Sequence, residues 1–198
     1  MKISKQDYIN LLQSLTTAWT YHANFAIELV KIIKPEIIVD LGVDYGYSTF
    51  SFAYPVIGEV YGVDWFQGDI HASFRNTYDS VLDFKEKIKN EYEIDNIKII
   101  KSDFNDFSNE WNKKIDILHI DGEHSYESVS SNYNTFSKFL TNESVVLFHD
   151  TLSFIDTVGL FFNQLDGYKI NRHQSHGLGI LTKSKETYDK IMTINDIC

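Results

Sequence analysis

Cysteine is almost missing from this chain: Cys198 is the only one in 198 residues. A disulfide framework and a thiolate-based zinc site are thereby excluded. Positive charge is scarce as well, with Lys+Arg 18 against Asp+Glu 28 and a formal net charge of −10. No basic run occurs, and "KEKIKNEYE" is mixed in sign, as a solvated helix face is. That balance argues against nucleic acid or an anionic membrane as partner, because both reward clustered Lys and Arg. Long apolar runs are lacking too. None approaches the roughly 18 residues of a membrane span, and the opening "MKISKQDYINLLQSL" has no apolar leader core. The expectation is a soluble, cytoplasmic protein with no membrane span.

What is present describes a globular chain. Hydrophobic residues make up 43% and charged residues 23%, outside the disordered range. Aromatics reach 15%, which reads as core packing before it reads as a stacking surface. The length fits one domain with a large core. No repeat, low-complexity tract or Pro/Gly-rich linker divides it. The expected organisation is a helical cap over 1–34 and a single globular unit over 35–198.

Residues 5–34 carry helix-spaced apolar positions (Tyr8, Leu11, Leu12, Leu15, then Phe25, Leu29, Ile32, Ile33), broken near "TTAWTYH" and stopped by Pro35. Five short β-branched runs follow: "EIIVDLG", "EVYGVD", "IKIIKSD", "KIDILHID" and "SVVLFHD". Helical segments are predicted between and after them, over 46–54, 74–92, 106–112, 124–140 and 152–165. "YKINRH" and "LGILTK", joined by "QSHG", close the chain as an antiparallel hairpin. Strand alternating with helix gives an α/β fold with a parallel sheet covered on both faces. Such sheets bind ligands beyond the carboxyl ends of their strands. Each of the five runs ends at or near an acid: Asp40, Asp64, Asp103, Asp121 and Asp150. One such Asp is an ordinary turn former or helix cap; five at one edge of a sheet point to a site.

The first of these turns, "VDLGVDYGYST", supplies Asp40, Gly42, Gly46 and Ser48. Its spacing is not the dinucleotide fingerprint G-x-G-x-x-G, because position 44 is Asp. Asp64 ends the next run 24 positions after Asp40, near the offset of roughly 20 at which an acid takes ribose hydroxyls. Repulsion by Asp40 and Asp44 disfavours a pyrophosphate and favours a neutral or cationic nucleoside. Further along, "HIDGEHSYE" packs Asp121, Glu123, His124 and Glu127 into seven positions. A turn followed by a capped helix is one explanation of that cluster. A metal-assisted site for activating a hydroxyl is the other.

These residues together resemble the class I S-adenosylmethionine-dependent methyltransferases over roughly residues 35–183. The D-x-G-x-x-x-G-x-S of residues 40–48 is similar to their first motif, Asp64 to their ribose acid, and Asp103 in "KSDF" to the acid facing the adenine. The resemblance implies a Rossmann-like sheet of order 3-2-1-4-5-7-6 with an antiparallel final hairpin. It places Trp65 or Phe66 against the adenine. Within that class, "HIDGEHSYESV" followed by "VLFHD" resembles the metal-dependent O-methyltransferases of sugars and glycans. By that resemblance Asp121 and Asp150 hold Mg²⁺ or Mn²⁺, His149 is a further candidate ligand, and His124 is the general base beside Asp121. The implied partner is a small-molecule or glycan acceptor, and a homo-oligomer is left open. Three alternatives stand beside this: a catechol- or phenol-type O-methyltransferase, a catalytically silent nucleoside-binding subunit, and a dinucleotide oxidoreductase. Tyr21, His22, His173, His176 and a lid after the second strand containing Arg75 are weaker candidates for acceptor contacts.

Overall fold

The computed structural model describes residues 3–68 and 73–195. Part of the expected lid, 69–72, thus lies outside the described residues. The chain runs α1 (Lys5–Leu12), α2 (Ala23–Ile33), β1 (Ile37–Leu41), α3 (Tyr47–Ala53), β2 (Glu59–Asp64), α4 (Tyr78–Tyr92), β3 (Ile97–Lys101) and α5 (Phe104–Glu110). It continues with β4 (Ile115–Ile120), α6 (Tyr126–Ser137), β5 (Leu140–His149), a π-helical turn (Ile155–Gly159), α7 (Leu160–Gln164), β6 (Tyr168–Arg172), β7 (Leu178–Thr182) and α8 (Lys185–Ile191). The seven strands form one sheet in the order β3-β2-β1-β4-β5-β7-β6. β7 runs antiparallel to both β5 and β6, and the other pairs are parallel. This is the architecture implied by the sequence resemblance.

Alternation along the strands builds two cores, because successive side chains leave opposite faces of a sheet. Ile38, Val60, Ile117, Val145 and Leu147 join one core with residues of α1, α2, α3 and α4. Val39, Leu41, Val63, Leu118, Val146 and Phe148 join the other with residues of α6 and α7. All five residues of β1 are buried, four apolar and the fifth Asp40, as expected of a central parallel strand covered on both faces. Each fully buried Val, Leu or Ile contributes about 1.5–3 kcal/mol of transfer free energy. The N-terminal helices share this packing, since Tyr8, Leu12 and Phe25 belong to the same core as the sheet.

Local chemistry accounts for three of the departures from the expected elements. α4 starts at Tyr78 and not at residue 74, because the Asn76 side chain accepts from the Tyr78 N–H at 3.1 Å and holds a turn there. The helix expected over 152–165 is split into the π-helical turn and α7, with Gly159 N donating to Phe154 O across five residues. α8 has no counterpart among the expected helices. Its buried stripe is only Thr187 and Ile191, too short to register as a period, and Ser184 starts it as an N-cap.

Candidate active site

Asp64, Asp103, Asp121 and Asp150 line a single cavity of about 790 Å³ at the carboxyl ends of the strands. The turn after β1 makes this possible. Gly42 has φ +99°, and a Cβ there would lie 1.9 Å from the carbonyl oxygen of Asp121. Only glycine allows that backbone to rest on the end of β4. Asp121 N donates to Leu41 O at 2.8 Å, fixing the same contact from the other side.

On the β2 side, Asp64 is held by the turn itself. Its Oδ2 accepts from Val43 N and Asp44 N, both at 2.9 Å, and its Oδ1 accepts from Phe66 N at 2.7 Å. Burial raises its pKa, and these backbone N–H groups oppose that rise. Each carboxylate oxygen accepts more than one hydrogen bond, so Asp64 retains capacity for a hydroxyl. Trp65, 47% exposed, stands on the cavity wall, whereas Phe66, at 1%, points into the core. Asp103 also lines the cavity, with Oδ1 spent on capping α5 through Asn105 N at 2.7 Å.

Two of the expected cofactor residues stand behind this wall. Asp40 is fully buried; its Oδ2 accepts from Ser48 Oγ at 2.8 Å and Thr49 Oγ1 at 2.5 Å. Gly46 caps α3 with φ +89° and does not line the cavity, whereas Ser48 does. Asp44 is not a bare negative charge either, because Arg75 grips it in a bidentate pair, Nη2 to Oδ2 at 2.7 Å and Nε to Oδ1 at 3.1 Å. The repulsion assigned to Asp40 and Asp44 from sequence is therefore corrected: one acid is sealed and the other neutralised.

On the β4 and β5 side, acids and imidazoles interlock. His124 Nε2 lies 2.9 Å from Asp150 Oδ2 and 3.9 Å from Asp121 Oδ1. His149 Nδ1 sits between the same carboxylates, 3.2 Å from Asp121 Oδ1 and 3.1 Å from Asp150 Oδ2, while its Nε2 faces Ser175 O at 3.0 Å. Burial pulls both imidazoles down, but Asp121 and Asp150 outweigh it and push His124 up to about 9 and His149 up to about 10. Burial would raise Asp121, and the neighbouring His149 and His124 instead hold it well below the usual carboxylate range. Behind them His22 goes the other way: burial, then the charge of His149, lowers it to about 3. The His124 ring lies flat on Phe154, centroids 4.3 Å apart and planes at 10°, and Thr157 Oγ1 donates to His124 O at 2.6 Å. The π-helical turn thus grips this histidine by ring and backbone.

Asp121, His124 and Asp150 offer ligand atoms that all lie within 4.8 Å of one another. Two carboxylates and an imidazole at that spacing suit a divalent cation, with the oxygens suited to Mg²⁺ or Mn²⁺. His149 is placed as a bridge between the two acids, its other nitrogen fixed by a carbonyl as in histidines that support metal sites. Glu123 lines the cavity but binds Ser125 N and Oγ. Glu127 belongs to the first turn of α6 and does not line the cavity. Among the weaker candidates, His176 lines the cavity, whereas Tyr21, His22 and His173 do not. Sequence reasoning gave no role to Thr16, Trp19, Phe154 or Asn132, all of which line the cavity. The break at "TTAWTYH" was the available signal for the first two. Among the described residues, no helix is long and apolar enough to cross a membrane.

Comparison with known proteins agrees with this geometry. A family model described as a methyltransferase domain matches residues 39–151. The uncharacterized protein y4gI of Sinorhizobium fredii is 31% identical over 180 residues. That match takes in 86% of this chain and 20% of y4gI, so the chain spans a small part of that relative's length. Among solved structures, the O-methyltransferase from Bacillus cereus in complex with SAH superposes with TM-score 0.64 at 13% identity, over 90% of each chain. The SAH-bound methyltransferase PaMTH1 of Podospora anserina gives 0.66 at 9% identity, over 92% of this chain and 88% of that one. Those identities speak to the fold, which is shared almost end to end. With more than half of its residues inside the family match, the chain belongs to the methyltransferase-domain family.

Proposed function

We propose that this chain is an O-methyltransferase that uses S-adenosylmethionine and a divalent cation, Mg²⁺ or Mn²⁺, to methylate a hydroxyl of a sugar or glycan. The observation that carries the proposal is the meeting of Asp121, His124 and Asp150 in the cavity bordered by Gly42 and Asp64.

Asp64 takes the ribose hydroxyls, Asp103 faces the adenine, Trp65 packs against the nucleoside, and Gly42 lets the backbone approach it. When bound, S-adenosylmethionine supplies an electrophilic methyl group. Asp121 and Asp150 hold the cation, which when bound supplies Lewis acidity that lowers the pKa of an alcohol. A sugar hydroxyl is too weak an acid to lose its proton unaided near neutrality, so the acceptor class and the metal cluster belong together. His124 receives the proton at Nε2, with Phe154 and Thr157 fixing the ring and its backbone. Without a cation, the two carboxylates keep that nitrogen protonated at neutral pH, since they raise its pKa to about 9. Engaging them elsewhere frees the nitrogen to act as a base. The chain's remaining contribution is orientation of donor and acceptor.

The test is release of S-adenosylhomocysteine (SAH) from S-adenosylmethionine in the presence of nucleotide-sugars, methyl glycosides or catechols, with Mg²⁺ or with EDTA. Metal-dependent turnover on a sugar is the expected result. Turnover confined to catechols moves the acceptor class to phenols. Equal rates in EDTA remove the cation from the proposal. Absence of cofactor binding by calorimetry ends it.

A further inference from the structure

The tip between β6 and β7 brings one more imidazole to the cavity, beside the acid–imidazole cluster. His176 is exposed and lines the cavity, with its ring centre 6.2 Å from that of His149. The tip is docked on the segment that follows β5 and begins with Asp150. Leu152 N and Ser153 N donate to His176 O at 2.9 and 3.1 Å. Gly177, with φ +93°, allows that approach, since a Cβ there would lie 2.7 Å from Leu152 Cγ and 2.8 Å from Leu152 N.

The ring is fixed as well as the backbone. Ser153 Oγ and His176 Nδ1 lie 2.7 Å apart, a hydrogen bond that either tautomer can make. Nε2 has no partner among the described residues. His176 also has φ +72°, a left-handed conformation that costs any residue with a Cβ. Packing does not explain a histidine there, because its ring is exposed and its hydrogen-bond partner Ser153 is exposed too. A ring pinned by one nitrogen leaves the other to meet a ligand.

Charge around the cavity says what kind of group that nitrogen meets. Arg75 is the only Lys or Arg lining the cavity among the described residues, and Asp44 grips it. Asp64, Asp103 and Glu123 line the same cavity, with no cationic side chain paired to them among the described residues. A phosphate or carboxylate on the acceptor would find no free side-chain cation to receive it. An uncharged oxygen remains, and a hydroxyl fits Nε2 in either tautomer because it both donates and accepts.

We infer that His176 is a specificity residue for the acceptor: its Nε2 hydrogen-bonds a second hydroxyl of the sugar, while the hydroxyl to be methylated lies at Asp121, His124 and Asp150. The inference rests on the proposal that the acceptor is a sugar or glycan, and narrows it to rings with at least two free hydroxyls. Two anchors orient such a ring, so that one hydroxyl and not its neighbour meets the methyl group. Loss of the second anchor spares the cofactor and the cation.

The test measures SAH release by the full chain with Mn²⁺ on the methyl pyranosides of glucose, galactose, mannose and rhamnose, then on the monodeoxy analogues of those that react. Wild type is expected to lose at least about tenfold in kcat/KM when one particular hydroxyl, other than the methylated one, is removed. His176→Ala should raise the acceptor KM about tenfold and level that difference, with SAH and Mn²⁺ affinities unchanged by calorimetry. His176→Gln keeps a side-chain donor and acceptor and should restore part of the discrimination; it decides the matter if the Ala variant does not fold. Wild-type KM and wild-type discrimination in both variants overturn the inference. So does a loss of SAH or Mn²⁺ affinity in step with the acceptor, which marks a merely structural role. If wild type methylates a glycoside and the His176 variants do so with the same pattern, the sugar proposal stands and only the role of His176 falls. If wild type methylates none of them, both fall.

Discussion

Two sets of aspartate and histidine lie a few residues apart in this fold and do different work. Asp40 of β1 and His119 of β4 are register partners across the sheet, joined Oδ1 to Nδ1 at 2.6 Å and both fully buried. Asp121 and Asp150 come one residue after β4 and β5, respectively, and meet His124 and His149 at the cavity. The residue types are the same; the placement relative to the strand end differs. Inside the strand an acid is turned into the packing, where it holds Ser48, Thr49 and His119 together. Past the strand end it escapes the ladder, and Asp150 does so with φ +65°, in the left-handed region. One set lies inside the packing, and the other lines the cavity.

The sharpest way to break that contrast is to exchange the effects. His124→Ala should lower turnover by about 10²–10⁴-fold. Mn²⁺ titration of the same variant should show nearly unchanged affinity if the imidazole is a base, and a large loss if it is a ligand. Asp121→Ala should abolish metal-stimulated turnover and spare SAH affinity. Asp40→Ala should do the reverse, costing about 3–5 kcal/mol of stability in urea unfolding, because it strands His119 in the interior. A folded, catalytically dead Asp40→Ala would erase the distinction between brace and site.

Smaller effects refine it. Asp64→Ala should weaken SAH by roughly tenfold with no change in metal dependence, as read by calorimetry. The pH response should divide along the same line. His124 and His149 have folded pKa values raised from 6.5 to about 9 and about 10. Their contribution to stability is therefore complete below pH 6.5 and lost as the pH rises through that range in metal-free protein. Metal affinity should climb over the same interval, because the protonated imidazoles and the cation compete for the same two carboxylates. His22 is lowered from 6.5 to about 3, so its neutral, buried form loses stability as the pH falls from 6.5 towards 3. Urea unfolding on both sides of neutrality, with and without Mn²⁺, checks these slopes. A metal-free protein equally stable from pH 7 to about 10 would contradict the coupling.

The sheet was legible because its β-branched runs each end near an acid and alternate with helices, a pattern few other folds share. The cavity acids Asp64, Asp103, Asp121 and Asp150 were legible for the same reason. Asp40 was read as their equal, since a sequence does not show that its side chain falls within the strand ladder two residues before the glycine. The π-helical turn was read as part of one helix, because its irregular bond changes spacing by a single residue. Asn132 was invisible: a polar residue in an apolar stripe stands out only once the stripe is known to be buried. Trp19 was hidden in the break between two helices, and its place against His119 and His149 depends on contacts more than 90 residues apart.

The tip between β6 and β7 has one more implication. Ser175, with φ +43°, receives His149 and His22 on its carbonyl and donates its hydroxyl to Ala18 O, a contact separated by 157 residues in sequence. A knot of this kind closes only when the last hairpin meets the first loop, and such distant closures are late and slow in folding. Refolding should therefore recover helical ellipticity before metal-dependent turnover, the interval marking the time the two far ends of the chain take to find each other.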